Sequence, residues 1–358
     1  MKRRGIFSGP SLGKRFRQHR LMRRYRPQSA WLNATVLVSL GALVVLALLG
    51  GLLERCGGAG DAHGLVAYAR SAFVSPTALI AGGARTRGIV VLGDVPGSGA
   101  AKRTAAAAVD TLARGPGLDA VALEVDSTAQ GYVDAFLESS PLDASILVAH
   151  PETLPGSDPQ AYLEIYRRVW ELNRRLGADR AILLIAAGIP DWPPRRALAP
   201  RQAAEVLARV GPAMARRIET AVLARNPQAR VLAFADGYEA LRSSSGQFVA
   251  GGGRPVSVTW LAALLETAHP GDVFSVLQDA RPGGGASGSG TSYVGTSAYD
   301  YFRDARLAPP FALQLNDAFD FLRRPIHTSS SPGTELAIEP ADYRLGEVAD
   351  GFVYLGAH

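Results

Sequence analysis

"GIVVLGDVPGSGAAKRT", residues 88 to 104, runs from an apolar strand-length segment through a glycine-rich turn into a helix-like stretch. A phosphate loop of the G-x-x-x-x-G-K-[ST] type needs Lys directly after its second Gly. Counting from Gly93, the second Gly should be residue 98, which is Ser98; counting from Gly97, it should be residue 102, which is Lys102. The G-x-G-x-x-G dinucleotide fingerprint fails too, because Gly97-Ser98-Gly99 leads to Lys102 where a small residue is required. No G-x-S-x-G nucleophile elbow follows any of the strand-length apolar runs. What survives is a strand–turn–helix unit.

That unit recurs along the chain. Strand-length apolar runs stand at 88–93 (GIVVLG), 119–125 (DAVALEV), 144–149 (ASILVA), 180–187 (RAILLIAA), 229–235 (ARVLAFA) and 272–277 (DVFSVL). Helix-like segments lie between them near 99–114, 128–139, 159–176, 199–225 and 256–268. Strands alternating with helices predict a mostly parallel sheet covered on both faces, and uniformly apolar strands such as ILLIAA fit that burial. Two further strands are expected at 311–315 and 351–355. The expected fold is therefore α/β: one large domain with a mostly parallel, mixed sheet flanked by helices.

The segment before it is different in kind. Residues 1–34 hold ten of the 38 basic residues and none of the 32 acidic ones. Residues 35–53, TVLVSLGALVVLALLGGLL, form an uncharged run of 19. A run of about 20 apolar residues spans a bilayer as a helix, and a basic flank stays cytoplasmic. The predicted organisation is a basic cytoplasmic tail (1–34), a transmembrane helix (35–53), a juxtamembrane linker with a short helix (54–84), and an extracytoplasmic α/β domain (85–358) carrying a Gly/Ser-rich loop at 281–295. A cleaved signal peptide is the rival, but its apolar core is usually shorter and its basic region less extended. The abundance of Arg and Ala points to a bacterial genome, so the expected location is the bacterial cytoplasmic (inner) membrane, with a single pass.

Outside residues 1–34, 28 basic residues face 32 acidic ones. This net of −4 gives no electrostatic footprint for nucleic acid. The single Cys56 allows no internal disulfide, and the six scattered histidines form neither a zinc-finger spacing nor HExxH. No metal site and no cofactor are expected.

Ligands of open parallel sheets sit beyond the carboxyl ends of the strands. Asp94 follows the first strand, and Glu124 and Asp126 end the second. His150 ends the third, Asp191 and Trp192 follow the fourth, Asp236, Tyr238 and Glu239 follow the fifth, and Asp279 follows the sixth. Convergent carboxylates shift one another's pKa and serve as acid and base. Asp also caps helices and opens turns, so any one of these residues has a structural alternative. Glu124 stands apart, because "VALEV" embeds it in an apolar strand end where an unpaired carboxylate is costly. The candidate catalytic set is Asp94, Glu124, His150 and Glu239, and the candidate ligand-binding set is Asp191, Trp192, Asp236 and Tyr238.

The pieces "GDVPGS", "DAVALEV", "YRRVWELNRRLGADRAILLIAAGIPDWPP" and "RVLAFADGYEAL" together resemble the superfamily of erythromycin esterases, ChaN-like haem-uptake proteins and Tiki/TraB proteins. The resemblance implies a loop G-[ED]-x-H-G after the first strand, whose His activates water. It also implies a second-strand Glu, a helix motif R-D-x-x-M and a late G-x-H. Asp94, Glu124 and Met214 match their positions. Pro96 stands where the loop His is implied, Val210-Gly211 where the Arg-Asp pair is implied, and Glu239 where the late His is implied. The W-P-P segment also lacks its leading Asp, reading Ile189-Pro190-Asp191-Trp192.

Losses on three segments predict that the family's hydrolysis is not performed. The expected function is a membrane-anchored pseudoenzyme that binds a small-molecule or protein ligand. Two alternatives stand beside it. One is an active hydrolase with a rebuilt carboxylate/His site or a divalent cation on Asp94, Glu124 and Glu239. The other is a haem-binding protein with Tyr238 or His150 as axial ligand.

Overall fold

The computed structural model describes residues 64–155, 158–191, 198–242, 246–250, 254–281, 292–293, 302–315, 323–324, 326–331, 334–339 and 343–357. The strands are β1 (Ile89–Asp94), β2 (Ala120–Leu123), β3 (Leu183–Ala186), β4 (Val231–Asp236), β5 (Gly246–Ala250), β6 (Val256–Val258) and β7 (Val273–Arg281). They continue with β8 (Ser292–Tyr293), β9 (Phe311–Gln314), β10 (Arg323–Arg324), β11 (Ile326–Ser331), β12 (Thr334–Glu339), β13 (Tyr343–Arg344) and β14 (Gly351–Ala357). The helices used below are α1 (64–72), α2 (Pro76–Ala84), α3 (Gly99–Arg114), α4 (Gln130–Glu138), α5 (Ser145–Val148), α6 (Pro159–Leu176), α7 (Pro200–Leu207), α8 (Val210–Ile218) and α9 (Leu261–Ala268).

Seven strands form the main sheet in the order β3-β2-β4-β1-β7-β14-β9. All neighbours are parallel except β14 and β9, which run antiparallel and close one edge. The expected α/β architecture with a mostly parallel, mixed sheet is the one found. Along β1 the side chains alternate between two cores: Ile89 and Val91 face one, Val90 and Leu92 the other. Both faces are covered, which is why β1, β2 and β4 read as unbroken apolar runs. On one face lie α2, α3 and α6, and on the other α1, α8 and α9. Leu65 and Ala69 of α1 and Ile80 of α2 are buried, so both helices belong to the packed unit.

Local chemistry sets the two long helices on the first face. Asp158 caps α6 by accepting from the Ala161 amide at 3.0 Å, Pro159 follows, and Gly177 at φ 76° ends it. Tyr162, Tyr166, Val169 and Leu172 recur at helical spacing and are buried. Each such side chain removed from water stabilises the fold by roughly 1.5–3 kcal/mol before entropy is counted.

The β3 edge of the sheet is closed by side chains. Gln130 donates to the Leu184 carbonyl at 2.9 Å and accepts from the Ala186 amide at 2.8 Å. Asn173 does the same for Ile182, at 3.0 and 2.7 Å. Two amide side chains thus take the place of a neighbouring strand.

Several expectations are corrected. Residues 144–149 do not form a strand; they contain helix α5. Asp143 accepts from the Ser145 amide and hydroxyl, which nucleates a helical turn, and Val148 is 62% exposed, which a buried strand would not allow. His150 therefore does not end a sheet strand. The helix expected over 199–225 is broken into α7 and α8, because Pro212 has no amide to continue the ladder from the preceding turn. The expected helix over 256–268 is β6 followed by α9. Asp279 lies within β7, not after it.

A second sheet, β6-β5-β12-β11-β8, was not anticipated. Its strand pairs run antiparallel. Among the described residues, no helix is long and apolar enough to cross a membrane. The run 35–53, Trp192 and most of 281–295 lie outside the described residues.

Candidate functional site

The opening loop is a turn with a defined chemistry. The Ser98 amide donates to the Val95 carbonyl at 3.0 Å, with Pro96 and Gly97 between them. Gly97 has φ 80°, so Val95-Pro96-Gly97-Ser98 is a type II turn, with Pro in its favoured place and Gly where left-handed backbone is required. The Ser98 hydroxyl then caps α3 by accepting from the Ala101 amide.

The turn brings Lys102, in the first turns of α3, back over the end of β1. Lys102 is 2% exposed, and its ammonium donates to both oxygens of Asp94, at 2.8 and 2.7 Å, and to the Val95 carbonyl at 3.2 Å. A cation near a helix N-terminus opposes the helix dipole; the Asp94 carboxylate offsets this. Burial pushes the Asp94 carboxyl up, and the charge and hydrogen bonds of Lys102 pull against it.

Neighbouring strands bring three more acids to this rim. Asp94 and Asp236 are register partners on β1 and β4. Glu124, just past β2, is 7% exposed and accepts from the Asp236 amide at 2.7 Å. Asp236 accepts from the Gly237 amide at 2.6 Å. Burial, with the Asp94 charge added, pushes Asp236 up to about 7; the Gly237 amide, Lys102 and the Tyr238 hydroxyl pull the other way. Burial holds Glu124 well above the usual carboxylate range, and the charges of Asp236 and Glu239 add to this.

Glu239 is wholly buried. It accepts from the Leu261 amide at 2.7 Å and from the Gly211 amide, at the starts of α9 and α8. Burial still raises it to about 8. A Cβ on Gly211 would come 2.5 Å from Glu239 Oε2, and 3.0 Å from both the Leu261 amide and the Thr259 carbonyl. Gly211 stands where the resemblance implies Asp, and Glu239 where it implies His. The two departures meet in space: a carboxylate from the turn after β4 fills room that a side chain on α8 would need.

The structure thus brings Asp94, Glu124, Asp236 and Glu239 together, and it adds Lys102 and Gln278. Gln278 of β7 is 4% exposed and donates to the Gly93 carbonyl at 2.8 Å. His150 is not with them. Among the described residues its partners are Glu152, 3.1 Å away, and the Tyr132 ring at 4.8 Å. Asp126 caps the turn after β2 through Thr128, and its other oxygen accepts from the Asp191 amide at 2.9 Å. Asp191 is exposed, at φ 58°, and engages this network through its backbone.

Tyr238 packs between Phe248 (5.6 Å) and Trp260 (5.4 Å) at 3% exposure, so its ring does not fit an axial ligand to haem. Among the described residues, no three His, Cys, Asp or Glu side chains are disposed to hold a metal ion.

In the sequence Lys102 stands out only by its failure to fit a phosphate-loop spacing. The signal that could have found it is its stripe. Lys102, Ala106 and Val109 share the buried face of α3, and Lys102 is the only Lys after Lys14.

The rim and sheet define an α/β domain with a carboxylate cluster at the carboxyl ends of parallel strands. The chain shares its fold with a solved succinoglycan biosynthesis protein, with a TM-score of 0.53 at 10% identity over 82% of this chain and 96% of that one. It is also similar to a Bacillus cereus protein, with a TM-score of 0.49 at 10% identity over 83% and 97% of the two chains. A mutant erythromycin esterase in its open conformation gives 0.49 at 10% identity over 75% and 90%. At 10% identity the likeness to the succinoglycan biosynthesis protein is one of fold alone. No family model matches the sequence, and no curated protein does.

Proposed function

We propose that this is a ligand-binding domain on an esterase-type fold whose hydrolytic chemistry has been lost, held outside the cytoplasm by the apolar segment 35–53. One observation carries the reading: the retained acids are engaged by the protein itself. Asp94 is bound through both oxygens by Lys102, and Glu239 is bound by the amides of Leu261 and Gly211. Pro96, where a proton-transferring His is implied, serves the turn and has no proton to give. The anchor rests on the uncharged run and its basic flank, and the ligand is a small molecule or a protein. The test is turnover of a panel of chromogenic esters by the full chain in detergent. No turnover above that of a Glu124→Ala, Glu239→Ala variant is expected; turnover abolished by those substitutions overturns the reading.

A second reading has its own observation. Asp236 is only half-buried, and its pKa near 7 suits a general base. It requires an ester-hydrolysis rate that rises through pH 7 and is lost in Asp236→Asn.

A further inference from the structure

We propose that the cluster at the carboxyl ends of β1, β2 and β4 receives a cationic, hydrogen-bond-donating organic ligand, an amine, and rejects anions. This rests on the binding reading above and names the class of ligand.

The donors at the rim are spent. An ammonium has three N–H groups, and those of Lys102 go to Asp94 Oδ1, Asp94 Oδ2 and the Val95 carbonyl. The N-terminus of α3, which would otherwise attract an anion, already has one. Asp158 lies so close that its Oδ2 would be 2.1 Å from a Cβ on Gly99, and Ser98 caps the same end. Among the described residues, a phosphate or carboxylate ligand here would meet carboxylates and no free cation.

Acceptors, in contrast, are in surplus. Glu239 Oε1 is buried with no hydrogen-bond partner among the described residues, and so is Gln278 Oε1. Glu239 lies near enough to Glu124 and Asp236 for their charges to act on one another. Gln278 is bonded to Gly93, the residue before Asp94. A buried acceptor without a donor is costly, so both atoms call for N–H or O–H groups. Asp94 and Asp236, the half-buried members, reach solvent. The described acids lack the disposition for a metal ion, so the cation that suits them is an organic ammonium.

The experiment is isothermal titration of the full chain in detergent with ethanolamine, spermidine and glucosamine, then with N-acetylglucosamine and inorganic phosphate. At least one amine is expected to bind, N-acetylglucosamine to bind at least about tenfold more weakly than glucosamine, and phosphate not at all. Glu239→Gln keeps the acceptor for the Leu261 amide and removes the carboxyl that ionises beside a bound ammonium; Gln278→Met removes the second acceptor at similar volume. Each is expected to weaken the amine about tenfold while leaving the unfolding transition cooperative. Binding of phosphate, equal binding of glucosamine and its N-acetyl form, or silence of all three amines overturns the proposal. None of these results touches the binding reading, which falls only if ester turnover appears.

Discussion

The Glu239 carboxylate occupies the space beside Gly211 that any side chain there would claim, and it takes the Gly211 amide as one of its partners. Gly211→Ala would place a Cβ 2.5 Å from Glu239 Oε2 and 3.0 Å from backbone atoms of Thr259 and Leu261. The carboxylate can shift, but the backbone of the α9 start cannot without moving the helix. Gly211→Ala is expected to cost about 1–3 kcal/mol in urea unfolding. In a double-mutant cycle, part of that loss is recovered with Glu239→Ala. Strict additivity would contradict the contact.

Lys102 and Asp94 form a mostly buried ion pair, at 2% and 16% side-chain exposure. Removing one partner leaves an uncompensated charge, whereas removing both is tolerated far better. Lys102→Met is expected to destabilise by about 3–5 kcal/mol, and Lys102→Met with Asp94→Asn to recover most of it. Equal destabilisation by the single and double variants would show that the pair is incidental.

Asp236 at about 7, Glu239 at about 8 and Glu124 well above its ordinary value are all raised by burial. A carboxyl raised in the fold favours the protonated native state. Its contribution is whole below the unfolded pKa and is lost as pH rises through the folded value. Stability is therefore expected to fall between about pH 5 and 8, by a few kcal/mol in all. Asp236→Asn with Glu239→Gln should flatten that slope, as read by urea midpoints across the range.

The main sheet was legible because a strand buried on both faces must be apolar throughout, and β1, β2 and β4 are. Residues 144–149 were not, because a short apolar run has no readable period. Only the capping Asp143 distinguished helix from strand, and His150 was misplaced with it. The second sheet escaped for another reason. Its β12 pairs with β5, far apart in sequence, and β11, IHTSSS, is mostly polar. At the site, Asp94, Glu124 and Glu239 were found by position. Lys102 and Gln278 were not, since a buried Lys on an alanine-rich helix resembles a solvated one until its face is known.

The β3 edge depends on Gln130 and Asn173 for its hydrogen bonds. Replacing both by Ala exposes an unpaired strand edge and is expected to give concentration-dependent association in light scattering, with a loss of about 1–3 kcal/mol per uncovered buried group. A monomeric variant of unchanged stability would show that the amides do not guard the edge.

The central claim is that four acids share one rim and that burial raises two of them, Asp236 and Glu239, to about 7 and 8. Carboxyl-carbon NMR of the full chain in detergent, labelled at Asp and Glu, reads this directly. Two carboxyls are expected to titrate near 7 and 8, the first absent in Asp236→Asn and the second in Glu239→Gln. A spectrum in which every carboxyl has ionised by about pH 5, the ordinary range for Asp and Glu, would contradict the account.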